Sequence, residues 1–137
     1  MVIGFARSVG YTTSIAAELW ALRDGINLCI EMRLAAVEIE LDAKLVVELL
    51  QKDVGNSTGN DVILSDCKEW LKRIPRVKIR HCFREANKCA NALARRGALL
   101  YQDFLVFTSP LANVELLINL DAAETFYERV RSNACFL

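Results

Sequence analysis

The sequence of 137 residues predicts a mixed α/β fold in which a sheet is flanked by helices. Apolar and polar residues alternate at 37–42 and again at 77–84, a period of two that is typical of strands. Apolar residues recur at helical spacing at 15–30, 45–50 and 64–74. A composition of 53% hydrophobic and 25% charged residues supports a buried core and excludes a disordered chain.

Strands therefore alternate with helices along the chain, which is the pattern of a mixed α/β layer. In chain order, the predicted elements are a strand at Val2–Val9, a helix over Ile15–Ile30 capped by Thr13 or Ser14, a strand at Val37–Leu41, a helix at Lys44–Gln51, a helix at Asp61–Ile74 stopped by Pro75, a strand at Val77–Phe83 and a helix at about Asn87–Arg96. Gly97 is predicted to be the C-cap of the last helix. The polar segment Asp53–Asn60 is predicted to be a loop.

The character of the chain changes after Gly97. We expect residues 1–100 to form one domain and residues 101–137 a C-terminal extension, either packed or loosely held. Within the extension, Phe104–Pro110 is predicted to be extended and Ala112–Arg131 to be helical.

No apolar run reaches the 18 or so residues that span a bilayer, and no signal-peptide core follows Arg7. We therefore expect no membrane partner and an intracellular location, nuclear or cytoplasmic. The five cysteines include no Cys-x-x-Cys pair, so they are expected to be reduced, mostly buried thiols rather than a disulfide framework or zinc cage.

Charge is segregated along a chain whose formal net charge is zero. The basic segment, residues 68–96, contains ten cationic residues and two acidic ones, a net of +8, whereas residues 18–66 contain ten acidic residues and four cationic ones, a net of −6. A basic half can follow phosphates and an acidic half can hold divalent cations. Alternatively, both stretches are solvated helix faces.

Two carboxylates stand where a metal site could form. Glu18 borders the apolar face of the first helix, and Asp42 ends a strand at the edge where open α/β sheets collect ligands. Carboxylates from two elements could share one Mg²⁺ ion, which prefers oxygen ligands. The alternative is that Glu18 is a surface residue and Asp42 a helix N-cap.

Three sequence motifs point to one family. They are HCFREANKCANALARRG at 81–97, AAELWALRDGI at 16–26 and VEIELDAKLVVELL at 37–50. In order and spacing, they resemble the last strand and helix, the first helix, and the fourth strand with its following helix in the ribonuclease H type-1 family, in the reverse-transcriptase-like form common in plant genomes. The resemblance implies a ribonuclease H-like sheet and two-magnesium hydrolysis of the RNA strand of RNA/DNA hybrids.

The resemblance also assigns roles to single residues. Glu18 matches the glutamate of the family's first helix and Asp42 the aspartate of its fourth strand, both of which are metal ligands. Asn87 matches the asparagine that opens the final helix and contacts nucleic acid, and Thr13 and Ser14 fall where the family touches the nucleic-acid backbone. Arg84 and Lys88 are expected to bind phosphates beside Asn87.

The chain departs from the family pattern at the other two carboxylates. Asn91 occupies the position of the family's final aspartate, in ANAL where ADAL or ADEL is usual. The first aspartate belongs to a strand that precedes the one matched by residues 1–10, so the first two strands are expected to be missing. An amide oxygen can coordinate a metal but cannot neutralise it, which leaves a weak or incomplete Mg²⁺ site and impaired catalysis.

Three functions remain open at this stage. The first is a ribonuclease H-like protein of retrotransposon descent with impaired cleavage. The second is a binder of RNA/DNA hybrid or other nucleic acid that does not cleave it. The third is a module whose open sheet edge accepts a strand from a protein partner, which would complete the sheet. The lone His81 and the tryptophans Trp20 and Trp70 are expected to be packed structural residues.

Overall fold

Five helices and four strands alternate in the computed structural model, which describes residues 3–52, 61–84, 87–100, 104–109 and 111–125. In chain order, they are β1 (Gly4–Arg7), α1 (Ser14–Glu31), β2 (Ala36–Leu41), α2 (Lys44–Gln51), α3 (Asp61–Leu71), β3 (Arg76–His81), α4 (Lys88–Gly97), β4 (Phe104–Phe107) and α5 (Ala112–Thr125). The predicted order of elements is confirmed over this part of the chain.

Packing divides the chain into two units. The central unit contains the described residues of Tyr11–Phe83, and the terminal unit contains those of Met1–Gly10 and Arg84–Ser132. The boundary predicted at residue 100 stays a prediction, since packing within one chain does not test which part folds alone.

Helix α1 begins where its sequence predicts. The hydroxyl of Thr13 accepts a hydrogen bond from the backbone amide of Ala16 at 3.2 Å, which satisfies one of the free amides of the first turn. One face of the helix is then buried, including Leu19, Leu22 and Ile26, each at most 1% exposed. This apolar face fixes α1 against the rest of the central unit.

Helix α1 ends in a Schellman motif. The amide of Arg33 donates to the carbonyl of Ile30 at 2.9 Å, and the amide of Leu34 donates to the carbonyl of Cys29 at 3.1 Å. The motif needs a left-handed residue, and Arg33 supplies it with φ of 55°. Glycine is the usual residue there because a Cβ atom makes this conformation costly.

Strands β2 and β3 pair in parallel, with Val37 opposite Val77 and Leu41 opposite His81. The alternation predicted for β2 is observed, because Val37, Ile39 and Leu41 are buried. These residues join α1, α2 and α3 in one apolar core. The buried members of that core are Leu19, Leu22, Ile26, Cys29, Val37, Ile39, Leu41, Val46, Val47, Leu64, Cys67 and Ile74.

Helix α3 is shorter than predicted. It ends at Leu71 rather than Ile74, because the amides of Arg73 and Ile74 turn back to the carbonyls of Trp70 and Leu71. Pro75 follows this turn and β3 starts one residue later, so the proline acts as the predicted stop. The loop predicted at Asp53–Asn60 lies outside the described residues.

In the terminal unit, β1 and β4 form an antiparallel pair in which Gly4 lies opposite Phe107 and Arg7 opposite Phe104. The Phe5 and Phe104 rings lie 5.7 Å apart, and the Arg7 guanidinium lies 5.2 Å from the centre of the Phe104 ring. The extension is therefore packed in its described part rather than loosely held. Helix α5 packs against α4 and buries Val114.

Gly97 is the last residue of α4 and not its C-cap, which is Ala98 in an ordinary right-handed conformation. The reason for a glycine is close approach to β1. A Cβ atom at Gly97 would lie 2.6 Å from the carbonyl oxygen of Arg7. The prediction that Gly97 is the C-cap was wrong, because this glycine is required by the close packing of α4 against β1.

The structure also bears on the sequence predictions for His81, for the cysteines and for membrane-spanning segments. His81, expected to be packed, is exposed at the last residue of β3, and its ring meets the exposed Phe83 edge to face at 5.4 Å. Cys29 and Cys67 are buried reduced thiols, whereas Cys82 and Cys89 are half-buried and Cys135 lies outside the described residues. Over the described ranges, no helix is both long and apolar enough for a membrane span.

Candidate nucleic-acid interface

The first candidate residues lie at the start of α1. Thr13 caps the helix and Ser14 opens it, both with exposed side chains, so their hydroxyls lie beside free backbone amides. Glu18 follows one turn later between the half-buried Ala17 and the fully buried Leu19. Glu18 is half-buried, as expected for a residue at the border of the apolar face.

Asp42 directly follows the buried Leu41 at the carboxyl end of β2. The N-cap of α2 is Ala43, which makes no side-chain cap hydrogen bond, so the structure excludes the N-cap alternative for Asp42. The charge of the Asp42 carboxylate affects the pKa of the neighbouring Cys82 thiol. Burial raises the pKa of Cys82, and the negative charges of Glu40 and Asp42 raise it further.

The donor set for a metal ion can be tested on the described residues. Among them, no group of three or more His, Cys, Asp or Glu side chains is arranged to hold a metal. Two Mg²⁺ ions need several anionic oxygens to offset their mutual repulsion. Glu18 and Asp42 therefore do not make up a two-magnesium centre by themselves.

The second group of candidates gathers at the start of α4. Asn87 is the N-cap, but its side chain makes no cap hydrogen bond. The Asn91 amide nitrogen donates to the backbone carbonyl of Arg84 at 3.3 Å, and the Asn87 backbone amide donates to the same carbonyl at 3.1 Å. These bonds tie Arg84 to the start of α4. Arg84 and Lys88 are both exposed.

The structure divides the cations of the basic segment into two classes. Lys72, Lys78 and Arg80 form ion pairs with carboxylates, and Lys68 donates to the carbonyl of Lys52. A second set is exposed, and its members pair with no described carboxylate within 4 Å. Those members of the second set that lie in the terminal unit are here called the α4 cations, and they are Arg84, Lys88, Arg95 and Arg96.

Some acidic residues of the segment 18–66 also form ion pairs. Glu38 and Glu40 lie opposite Lys78 and Arg80 in the β2–β3 register, on the face turned away from the apolar core. Both carboxylates are about 15% exposed, Arg80 Nε lies 2.8 Å from Glu38, and Arg80 also pairs with Glu40. The Glu40 hydrogen bond raises the pKa of Arg80. These two acids are therefore neutralised inside the sheet.

The two tryptophans pack between helices as expected. The Arg23 guanidinium lies 5.2 Å from the centre of the Trp20 ring and 4.9 Å from that of Trp70, and it pairs with Asp66 at 3.3 Å. Arg23 thus bridges α1 to α3 through the Trp70 ring and Asp66, whereas its contact with the Trp20 ring lies within α1. Sequence reasoning missed this role of Arg23, because an arginine on a helix border carries no signal of its stacking partner.

Comparisons with known proteins bear on the family and the fold of the chain. A family model described as "Reverse transcriptase-like" matches residues 1–97. An Arabidopsis thaliana protein whose name assigns it to the ribonucleases H is 31% identical over 104 residues, which is 76% of this chain and 17% of that protein. The N-terminal ribonuclease H domain of a Mycobacterium tuberculosis protein superposes with a TM-score of 0.61 at 20% identity, over 66% of each chain. The chain thus spans only about a sixth of the length of the curated relative.

Proposed function

This chain belongs to the reverse-transcriptase-like family, and from that premise we propose that it is a nucleic-acid-binding domain of ribonuclease H fold that takes an RNA/DNA hybrid as its ligand. The observation that carries the proposal is the set of α4 cations, which are exposed and pair with no carboxylate among the described residues. Cations that already pair with a carboxylate contribute less to phosphate binding, because the neighbouring negative charge offsets theirs.

The helix N-terminus beside these cations favours the same ligand. Lys88 begins α4, and the first amides of a helix carry a partial positive charge. Arg84 and Asn87 stand next to that end and can donate to phosphate oxygens. Nothing in this arrangement reads base edges, so recognition would depend on duplex shape and backbone.

We propose further that a polypeptide of these 137 residues cleaves hybrids slowly. Asn91 supplies no charge at the position of the family's final carboxylate, and its amide is engaged with Arg84. Glu18 and Asp42 would hold at most one Mg²⁺ ion weakly. Loss of several kcal/mol of transition-state stabilisation, at about 1.4 kcal/mol per decade, corresponds to a rate at least about a thousandfold lower than that of an intact relative.

The test uses one labelled RNA/DNA hybrid in two measurements. In Mg²⁺ or Mn²⁺, we expect the polypeptide to retard the hybrid in an electrophoretic shift assay while cleaving it at least about a thousandfold more slowly than an intact family member. Cleavage at a comparable rate, abolished by Asp42→Asn, would contradict the proposed impairment. Failure to shift the hybrid at low salt would contradict the proposed binding.

A further inference from the structure

A cavity of about 300 Å³ opens in the central unit where two helices lead into two strands. It lies between the α1–β2 connection and the α3–β3 connection, at the opposite end of these strands from Asp42. Its volume is at the lower limit for sites that bind small organic molecules. The apolar lining comes from Ile30, Leu34, Ile74 and Pro75, and the charged lining from Arg33 and Arg73.

The electrostatics of this cavity favour an anion. Arg33 and Arg73 are exposed, and neither pairs with a carboxylate in the described part of the chain. Helices α1 and α3 both end here, and each C-terminus contributes about half a negative charge. The two helix ends together contribute about one negative charge, and the two guanidinium groups contribute two positive charges, which leaves a net of about +1. The cavity therefore remains positive after the helix ends are neutralised.

The backbone conformation of Arg33 supports a role for its side chain in ligand binding. Arg33 holds the left-handed position of the Schellman motif with φ of 55°, where glycine would avoid the strain. Relative to glycine, an arginine at that position adds only a guanidinium group, whose charge lies beside the C-terminus of α1 and lines the cavity. Strained residues of this kind concentrate at ligand sites.

We propose that this cavity binds a phosphate monoester of mononucleotide size. The phosphate would lie between the guanidinium groups of Arg33 and Arg73, which can each donate two hydrogen bonds to its oxygens. The organic part would cover Ile74 and Pro75, which explains why the site combines two cations with an apolar wall. A free nucleotide and the 5′-phosphorylated end of a strand share this chemistry. The proposal is independent of the α4 cations, which belong to the terminal unit.

The test is equilibrium binding of a nucleoside 5′-monophosphate to the 137-residue polypeptide, with the unphosphorylated nucleoside and inorganic phosphate as comparisons. We expect Arg33→Gly and Arg73→Ala each to weaken binding of the monophosphate at least about tenfold. Arg76→Ala is the matched control, because Arg76 is an exposed cation next to the cavity that does not line it. Its effect should be less than about threefold, and the nucleoside should bind at least about tenfold more weakly than the monophosphate.

A folding control separates binding from stability. Arg33→Gly keeps the left-handed turn, so its melting temperature should equal or exceed that of the wild type. If Arg33→Gly and Arg73→Ala bind the monophosphate as the wild type does, or if no saturable binding is found, the proposal is overturned. If both variants melt at lower temperatures and the wild type does not bind the monophosphate, the two arginines stabilise the helix C-termini instead, and the proposal is again overturned.

Competition distinguishes the two ligand sources. A short oligonucleotide with a 5′-phosphate should displace the mononucleotide if a strand end is the natural ligand, and the same oligonucleotide with a 5′-hydroxyl should not. If neither oligonucleotide displaces the mononucleotide, the natural ligand is a free nucleotide. Retardation of the hybrid and saturable binding of the mononucleotide are separate measurements on the same polypeptide, so failure of hybrid binding and failure of this site give different results.

Discussion

The side-chain amide of Asn91 donates a hydrogen bond to the backbone carbonyl of Arg84, 3.3 Å away. The sequence resemblance assigns Asn91 to the position of the family's final aspartate, and in this structure Asn91 supplies a hydrogen-bond donor to the backbone. A carboxylate could not make this bond, because it has no hydrogen to donate to a carbonyl oxygen. Asparagine at this position thus fits the turn that places Arg84 before α4.

Replacing Asn91 with aspartate should therefore lower stability without restoring cleavage. We expect Asn91→Asp to reduce the free energy of unfolding by about 1 kcal/mol, because the Arg84 carbonyl loses its donor and faces a negative charge. Urea denaturation measures the change. Asn87→Asp is the matched control and should be neutral or slightly stabilising, since Asn87 makes no cap bond and a carboxylate is favoured at a helix N-cap. Equal losses in both variants would contradict the role of the hydrogen bond.

Arg33→Gly should raise the stability of the protein. A left-handed conformation costs a residue with a Cβ atom about 1 to 2 kcal/mol, and glycine avoids this cost but loses some backbone entropy, so the net gain should be about 1 kcal/mol. Thermal denaturation compares the wild type with Arg33→Gly and Arg33→Ala. Alanine keeps the strained Cβ and should give no such gain. Equal gains from glycine and alanine would show that charge, and not backbone strain, is responsible.

Gly97→Ala should destabilise the terminal unit by about 2 kcal/mol or more, because the new Cβ atom would lie 2.6 Å from the Arg7 carbonyl oxygen. Backbone atoms cannot move aside without shifting β1 against α4. Gly4→Ala provides the control, since its Cβ would meet the flexible side chain of Leu93 at 3.3 Å. We expect a loss below about 1 kcal/mol for Gly4→Ala, and a similar loss at both glycines would refute the close approach.

The buried thiol of Cys67 should make stability fall at alkaline pH. Burial raises the pKa of Cys67 from 9.0 to about 12, so the folded state favours the neutral thiol. This contribution is complete below pH 9.0, the ordinary pKa of the thiol, and is lost as the pH rises toward about 12. Urea denaturation between pH 7 and pH 11 should show the wild type losing its advantage over Cys67→Ala. Parallel stability curves for the two proteins would contradict the shift.

Local pattern was enough to predict most of the elements. Thr13 as cap, the buried alternation of Val37, Ile39 and Leu41, and the stop at Pro75 follow from interactions within one turn or one strand, which a sequence displays directly. Three motifs also predicted the family, which the match over residues 1–97 confirms.

Features that depend on distant partners could not be predicted. Nothing in residues 104–107 specifies β1 as their neighbour, since an apolar strand pairs equally well with many edges. The exposure of His81 follows from its place at the end of β3, which alternation alone does not reveal. Likewise, the net charge of the basic segment did not show which cations are already paired, and this distinction depends on the β2–β3 register.

The most direct test of the central claim is the salt dependence of hybrid binding. The logarithm of the association constant should fall linearly with the logarithm of salt concentration, and Arg84→Ala with Lys88→Ala should reduce the slope by about 2, because each lost phosphate contact accounts for about 0.9. The control, Lys72→Ala with Lys78→Ala, removes two cations that already have carboxylate partners and should leave the slope nearly unchanged. Identical slopes for the wild type and the Arg84–Lys88 variant, or equal losses in both double variants, would contradict the assignment of nucleic-acid binding to the α4 cations.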